Sequence, residues 1–95
     1  MSIEIRHNEK LDRFEALTGE GKHVGEIEYR FDGDGNMEAT HTGVLAEFEG
    51  QGIAARLLEA LVQYAASNGL KIIPVCPYIA AVFEKSPDRY AAVTK

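Results

Sequence analysis

The chain has a single cysteine, Cys76. That excludes an internal disulfide and a structural zinc site built from several thiolates. No apolar run approaches the roughly 20 residues that cross a bilayer. There is no internal repeat and no low-complexity segment. The opening, Met1-Ser-Ile-Glu-Ile-Arg6, alternates apolar and charged residues, unlike a secretory signal or an amphipathic transit helix. The expectation is therefore a reduced, cytoplasmic setting with no membrane partner. Cations are scarce: 10 Lys and Arg stand against 15 Asp and Glu, a net charge of −5. That argues against nucleic acid, which favours a basic face, but not against a cationic partner such as an amine or a basic peptide. The 95 residues, 45% hydrophobic and 26% charged, fit one globular domain over 1–95.

The first 45 residues read as strands. Ile3 and Ile5 alternate with Glu4 and Arg6, and Phe14 to Thr18 forms a second short run. Val24 to Phe31 places Ile27, Tyr29 and Phe31 on one face and Glu26, Glu28 and Arg30 on the other. A loop follows at Asp32-Gly-Asp-Gly-Asn36. Met37 to Leu45 is a fourth strand, with Ala39, His41 and Gly43 expected on one face and Thr40, Thr42 and Val44 on the other. From Gly50 to Ser67 the polar residues Arg56, Glu59, Gln63 and Ser67 fall on one helical stripe, so a helix packed on the sheet is expected. Asn68-Gly69 stops it. Leu70 to Val75 reads as a buried strand and Ile79 to Lys85 as a short helix, with Tyr90 in a tail. The fold class is α+β: a mixed, mostly antiparallel sheet of about five strands with one long and one short helix. Strand four, the long helix and strand five form a crossover, which makes those two strands parallel.

Asp32, Asp34 and Asn36 imitate the start of an EF-hand loop, but Met37 stands where the sharp turn needs Gly and Gly43 where a bidentate Glu is needed. A polar hairpin turn accounts for them, and no metal site is expected. Glu47-Phe-Glu-Gly50-Gln-Gly52-Ile-Ala54 carries more chemistry. Two glycines before a helix allow close backbone approach, and the first helical amides lack partners at the positive end of the dipole. That suits a phosphate or pyrophosphate, and a tight strand-to-helix turn explains it equally. It is neither a Walker loop nor a dinucleotide fingerprint, since the Lys-Ser/Thr pair and the third Gly are missing.

Val44-x5-Gly50-Gln-Gly52-Ile-Ala-x-x-Leu57 resembles motif A of the GNAT acetyltransferase superfamily, which holds the acetyl-CoA pyrophosphate on backbone amides. The likeness continues through His41-Thr42, Cys76-Pro77-Tyr78, Phe83-Glu-Lys85 and Pro87-x-x-Tyr90, spanning residues 23–90. Together these resemble the very small single-domain branch of that superfamily. The resemblance implies acetyl-CoA as co-substrate and acetyl transfer to an unidentified amine or basic peptide. The alternative is a CoA-binding module without transferase activity. It places the pyrophosphate on Gly50, Gln51, Gly52, Ile53 and Ala54, with the pantetheine beside Val44 and Leu45. Arg56 would add charge, and Tyr78 and Tyr90 would line the cofactor.

The departures from the family pattern matter. Glu47 stands where Arg or Gln is usual. Cys76 and Phe83 stand where the second motif has Asn and a Tyr that acts as acid toward the CoA sulfur. The helical segment between the first two strands and the last strand pair, which wall in the acceptor amine, are missing from the pattern. Cys76 is either a small buried hydrophobe or a thiol facing the acetyl group, as proton donor or as transient acyl carrier. His41 is either a satisfied histidine or the base that takes a proton from the amine or the thiol. It is also the expected partner that tunes Cys76. Glu26 and Glu28 are candidates for a place near the amine. His7 and His23 have no motif context. A monomer or weak homodimer is expected.

Overall fold

The computed structural model describes residues 2–95. Strands β1 (Ile3–Asn8), β2 (Arg13–Thr18), β3 (His23–Phe31) and β4 (Asn36–Val44) run as an antiparallel meander. A 3-10 turn at Ala46–Phe48 leads to helix α1 (Ile53–Ser67). Strand β5 (Lys71–Pro74) then pairs parallel with β4, as the crossover requires, and closes the order β1-β2-β3-β4-β5. Helices α2 (Pro77–Lys85) and α3 (Pro87–Tyr90) follow. The α+β class and the five-stranded mixed sheet match expectation.

α1 packs across the sheet, burying Ile53, Leu57, Leu58, Leu61 and Ala65. These meet Ile27, Met37 and Ile72, each fully buried, and a buried aliphatic side chain contributes about 1.5–3 kcal/mol by leaving water. A groove bordered by both α1 and α2 residues puts the two helices side by side. The far face of the sheet carries charged side chains in ion pairs, including Arg13–Glu15 at 2.7 Å and Arg30–Glu38. One-sided solvation of this kind is ordinary for antiparallel strands.

Local geometry departs from simple alternation in three places. In β4, His41 pairs with Glu28 and Ala39 with Tyr29, so Thr40 is an extra, bulged residue. The bulge reverses the pattern. Ala39 lies in the core, whereas His41 is half-exposed on the opposite face. The expected grouping of Ala39 with His41 and Gly43 is therefore corrected. Val24 is extra in the same way between β2 and β3, and is fully buried. Phe31, expected on the inner face with Ile27 and Tyr29, is 46% exposed at the end of its strand.

The long helix begins at Ile53 and not at Gly50, because Gly50 and Gly52 have φ of +82° and +77°. Only glycine takes the left-handed region at low cost, so this stretch is a turn aimed into the helix. α2 begins two residues earlier than expected, with Pro77 in its first turn, where proline is well tolerated. The expected tail is a short helix ending in Tyr90. Beyond it Thr94 bridges Ile72 on the outer edge of β5. Among the described residues no helix is long and apolar enough to cross a membrane.

Candidate active site

β4 and β5 stay together only from Asn36↔Lys71 to Ala39↔Pro74. The amides of Val75 and Cys76 both turn onto the Ala39 carbonyl, at 3.1 and 2.8 Å, and the chain enters α2 at Pro77. From Thr40 onward β4 therefore has no strand on that side. The backbone groups that point to that side, apart from the Thr42 amide that meets Cys76, need partners that the sheet does not supply. Thr42, Gly43 and Val44 on this open edge border a cavity of about 340 Å³. Its other wall is Gly50, Gly52 and Ala54.

That wall is electropositive by construction. Gly52 caps α1 without a side-chain hydrogen bond, and the first helical bond is Arg56 N–H to the Gly52 carbonyl at 3.1 Å. The amides of residues 53–55 thus have no intrahelical partner and point out along the helix dipole. Nothing lies within 4 Å of where a Cβ on Gly50 or Gly52 would sit, so the backbone is bare on the cavity side. Glu49 also borders the cavity and opposes an anion there. The neighbouring Glu47 is drawn aside by Lys22, 3.3 Å away.

The cavity continues into a groove between α1 and α2. The two share Ala55 and Tyr78, and the groove adds Lys85, Arg89 and Tyr90. Burial holds the Tyr78 phenol above its ordinary range, so it is a neutral hydroxyl at physiological pH. Arg89 pairs with Glu59 at 3.4 Å. The sequence-expected residues divide accordingly. Val44, Gly50, Gly52, Ala54 and Tyr78 line the cavity. Ile53 has its side chain in the core, so only its amide is on offer. Gln51 and Leu45 are exposed outside that cavity. Arg56 borders the groove but donates to the Ile3 carbonyl at 2.9 Å, which ties its guanidinium to β1. Tyr90 is mostly core, stacked on Phe83 at 4.6 Å.

Cys76 is the residue before α2, 6% exposed, with Sγ 3.7 Å from Thr42 Oγ1. Burial pushes the thiol up. The Ile79 amide, the Thr42 hydroxyl and the Tyr78 and Thr42 amides outweigh it and hold the thiol below its ordinary range. A thiolate at the start of a helix is favoured by the same dipole that favours phosphate. The pairing of Cys76 with His41 is corrected. His41 lies on the other sheet face, and its partner is Glu26, with Nε2 to Oε2 at 2.9 Å. The second Glu26 oxygen meets His23 Nε2 at 2.7 Å. Burial pushes the Glu26 carboxyl up, but its bonds to His23 and His41 prevail and hold it below the usual range.

This imidazole–carboxylate–imidazole bridge borders a third hollow of about 200 Å³, which also includes Gly43, Val44 and Leu45. Gly43 and Val44 border both this hollow and the first cavity, so the two hollows flank the same stretch of β4 edge. A Cβ on Gly43 would lie 2.6 Å from Glu26 Oε2 and 3.0 Å from His41 Nε2. The glycine makes room for the bridge. Sequence reasoning gave Thr42 and Gly43 no binding role and set His23 aside. The His23-x-x-Glu26 spacing carries no signal by itself, because the bulges decide which faces these residues share.

A family model described as GCN5-related N-acetyl-transferase matches residues 13–93. Protein NATD1 of Xenopus tropicalis is 27% identical over 86 residues, 90% of this chain and 79% of that protein. The solution structure of a GCN5-like protein from Staphylococcus aureus is 38% identical, with a TM-score of 0.77, covering 100% of this chain and 91% of the other. A GNAT-family acetyltransferase from Staphylococcus aureus Mu50 shares the fold at 13% identity, with a TM-score of 0.61, covering 86% of this chain and 55% of its own.

Proposed function

This chain belongs to the GCN5-related N-acetyltransferase family, and from that premise we propose that it uses acetyl-CoA to acetylate an amine. The observation that carries the reading is the junction of an unpaired β4 edge with the bare amides at the start of α1. A pantetheine arm is an amide chain that can hydrogen-bond along Thr42 to Val44 as a strand would. A pyrophosphate suits the amides of residues 50–54. The nucleotide end then extends into the groove beside Lys85 and Arg89, the cations that border it besides Arg56.

Cys76 and His41 divide the chemistry between the two faces. The thiolate favoured by the α2 amides attacks the acetyl carbonyl, the carbon–sulfur bond to CoA breaks, and a thioester on Cys76 results. An amine reaching the gap across the solvated face loses its proton to His41 and attacks that thioester, which releases Cys76. The polar, unroofed face suits a bulky or peptide-borne amine. The same openness supports a second reading, a CoA-binding module that transfers nothing.

Intact-mass spectrometry after mixing with acetyl-CoA separates the two. Transfer predicts a single acetyl adduct on Cys76 that an amine or basic peptide discharges, with adduct and turnover both lost in Cys76→Ala. Saturable CoA binding without adduct or turnover selects the binding module.

A further inference from the structure

We propose that Glu26 is a positioning residue that fixes the tautomer and orientation of His41, with His23 anchoring the carboxylate's other oxygen. This rests on the reading above, in which His41 takes the amine's proton. Both Glu26 oxygens are engaged by imidazole Nε2 atoms, His23 at 2.7 Å and His41 at 2.9 Å. A carboxylate only accepts, so both rings carry their hydrogen on Nε2 when neutral. His41 Nδ1 is then the lone pair left to receive a proton. The imidazolium formed on proton transfer lies against a carboxylate, which stabilises it as charge develops.

Three observations make the bridge a built arrangement. Gly43 leaves the space that any Cβ would occupy. Glu15, directly opposite Glu26 on β2, is engaged by Arg13 at 2.7 Å and is held below the usual carboxylate range against the upward push of burial. Arg13 is also 3.8 Å from Glu28, the residue opposite His41. The surrounding carboxylates are thus occupied by a cation, and Glu26 is the one paired with imidazoles. The Glu26 side chain is 21% exposed, against 36% for His23 and 50% for His41, so the carboxylate is the least accessible member of the bridge.

The test is the tautomer of His41 in the full chain, read from long-range proton–nitrogen couplings with 15N-histidine. The wild-type protein is expected to show the Nε2–H form at both His41 and His23. In Glu26→Gln a single amide oxygen remains to accept from two rings, so at least one ring leaves that tautomer. Glu26→Ala releases both rings to the free-imidazole mixture, in which Nε2–H still predominates, so this variant is read through kcat. With an amine acceptor, both variants lose much of the roughly 10²–10⁴-fold that a positioned base contributes to kcat, while KM for acetyl-CoA stays within a few-fold. Glu26→Asp recovers part of the loss. His41 in the Nδ1–H form in the wild type, or both rings still wholly Nε2–H in Glu26→Gln, overturns the proposal. The tautomer needs no turnover, so failure of the transferase reading remains distinguishable.

Discussion

At the scale of single residues, the site is defined by which backbone groups each side chain meets. Cys76 shows this. Its sequence context, a thiol just before Pro77, identified it as a candidate, and the start of α2 supplies the amides that lower its pKa. The agent differs from expectation: helix amides and Thr42 act where His41 was foreseen. A strand partner can be inferred from alternation, but the bulge at Thr40 moves His41 to the opposite face. No residue type announces that bulge. Thr42→Val removes the hydroxyl that supports the thiolate and keeps the shape. The pH midpoint of Cys76 alkylation, normalised to its alkaline plateau, is expected below that of the denatured chain and to move upward in this variant. Buried and only 6% exposed, the thiol should also react more slowly than a free one at every pH. An unmoved midpoint in Thr42→Val would show that Thr42 does not tune the thiol.

At the scale of elements, the turn before α1 was the most legible feature. Gly-x-Gly after a strand announced bare backbone, and both glycines have positive φ. The helix itself was placed three residues too early, because the apolar pattern does not reveal where left-handed backbone ends. Gly52→Val tests the turn. A β-branched residue at φ +77° costs roughly 1–2 kcal/mol in the left-handed region. For a domain of this size each kcal/mol lowers Tm by about 4–8 °C. The decisive effect concerns the ligand. A hundredfold excess of CoA over its Kd should stabilise the wild type by about 2.7 kcal/mol, and the variant should gain nothing, because its side chain fills the space over the helix amides. A CoA-induced shift of full size in Gly52→Val would remove the turn from the binding site.

At the scale of the whole molecule, the fold makes a one-sided layer. Helices cover one face of the sheet and leave the other solvated, and hollows on the two faces flank the unpaired end of β4. The strand order and the parallel crossover were readable from hydrophobic period and connection length. The meeting of three hollows at Gly43, Val44, Ala55 and Tyr78 was not, because it depends on where pairing stops at Ala39. The most direct measurement is a titration of the 15N-labelled chain with CoA, followed through its backbone amide resonances. Saturable shifts should concentrate at residues 42–44, at 50–56 and around Tyr78, and should extend to Lys85 and Arg89. They should shrink at those last two with CoA lacking its 3′-phosphate. No saturable shift, or shifts centred elsewhere on the sheet, would contradict the account.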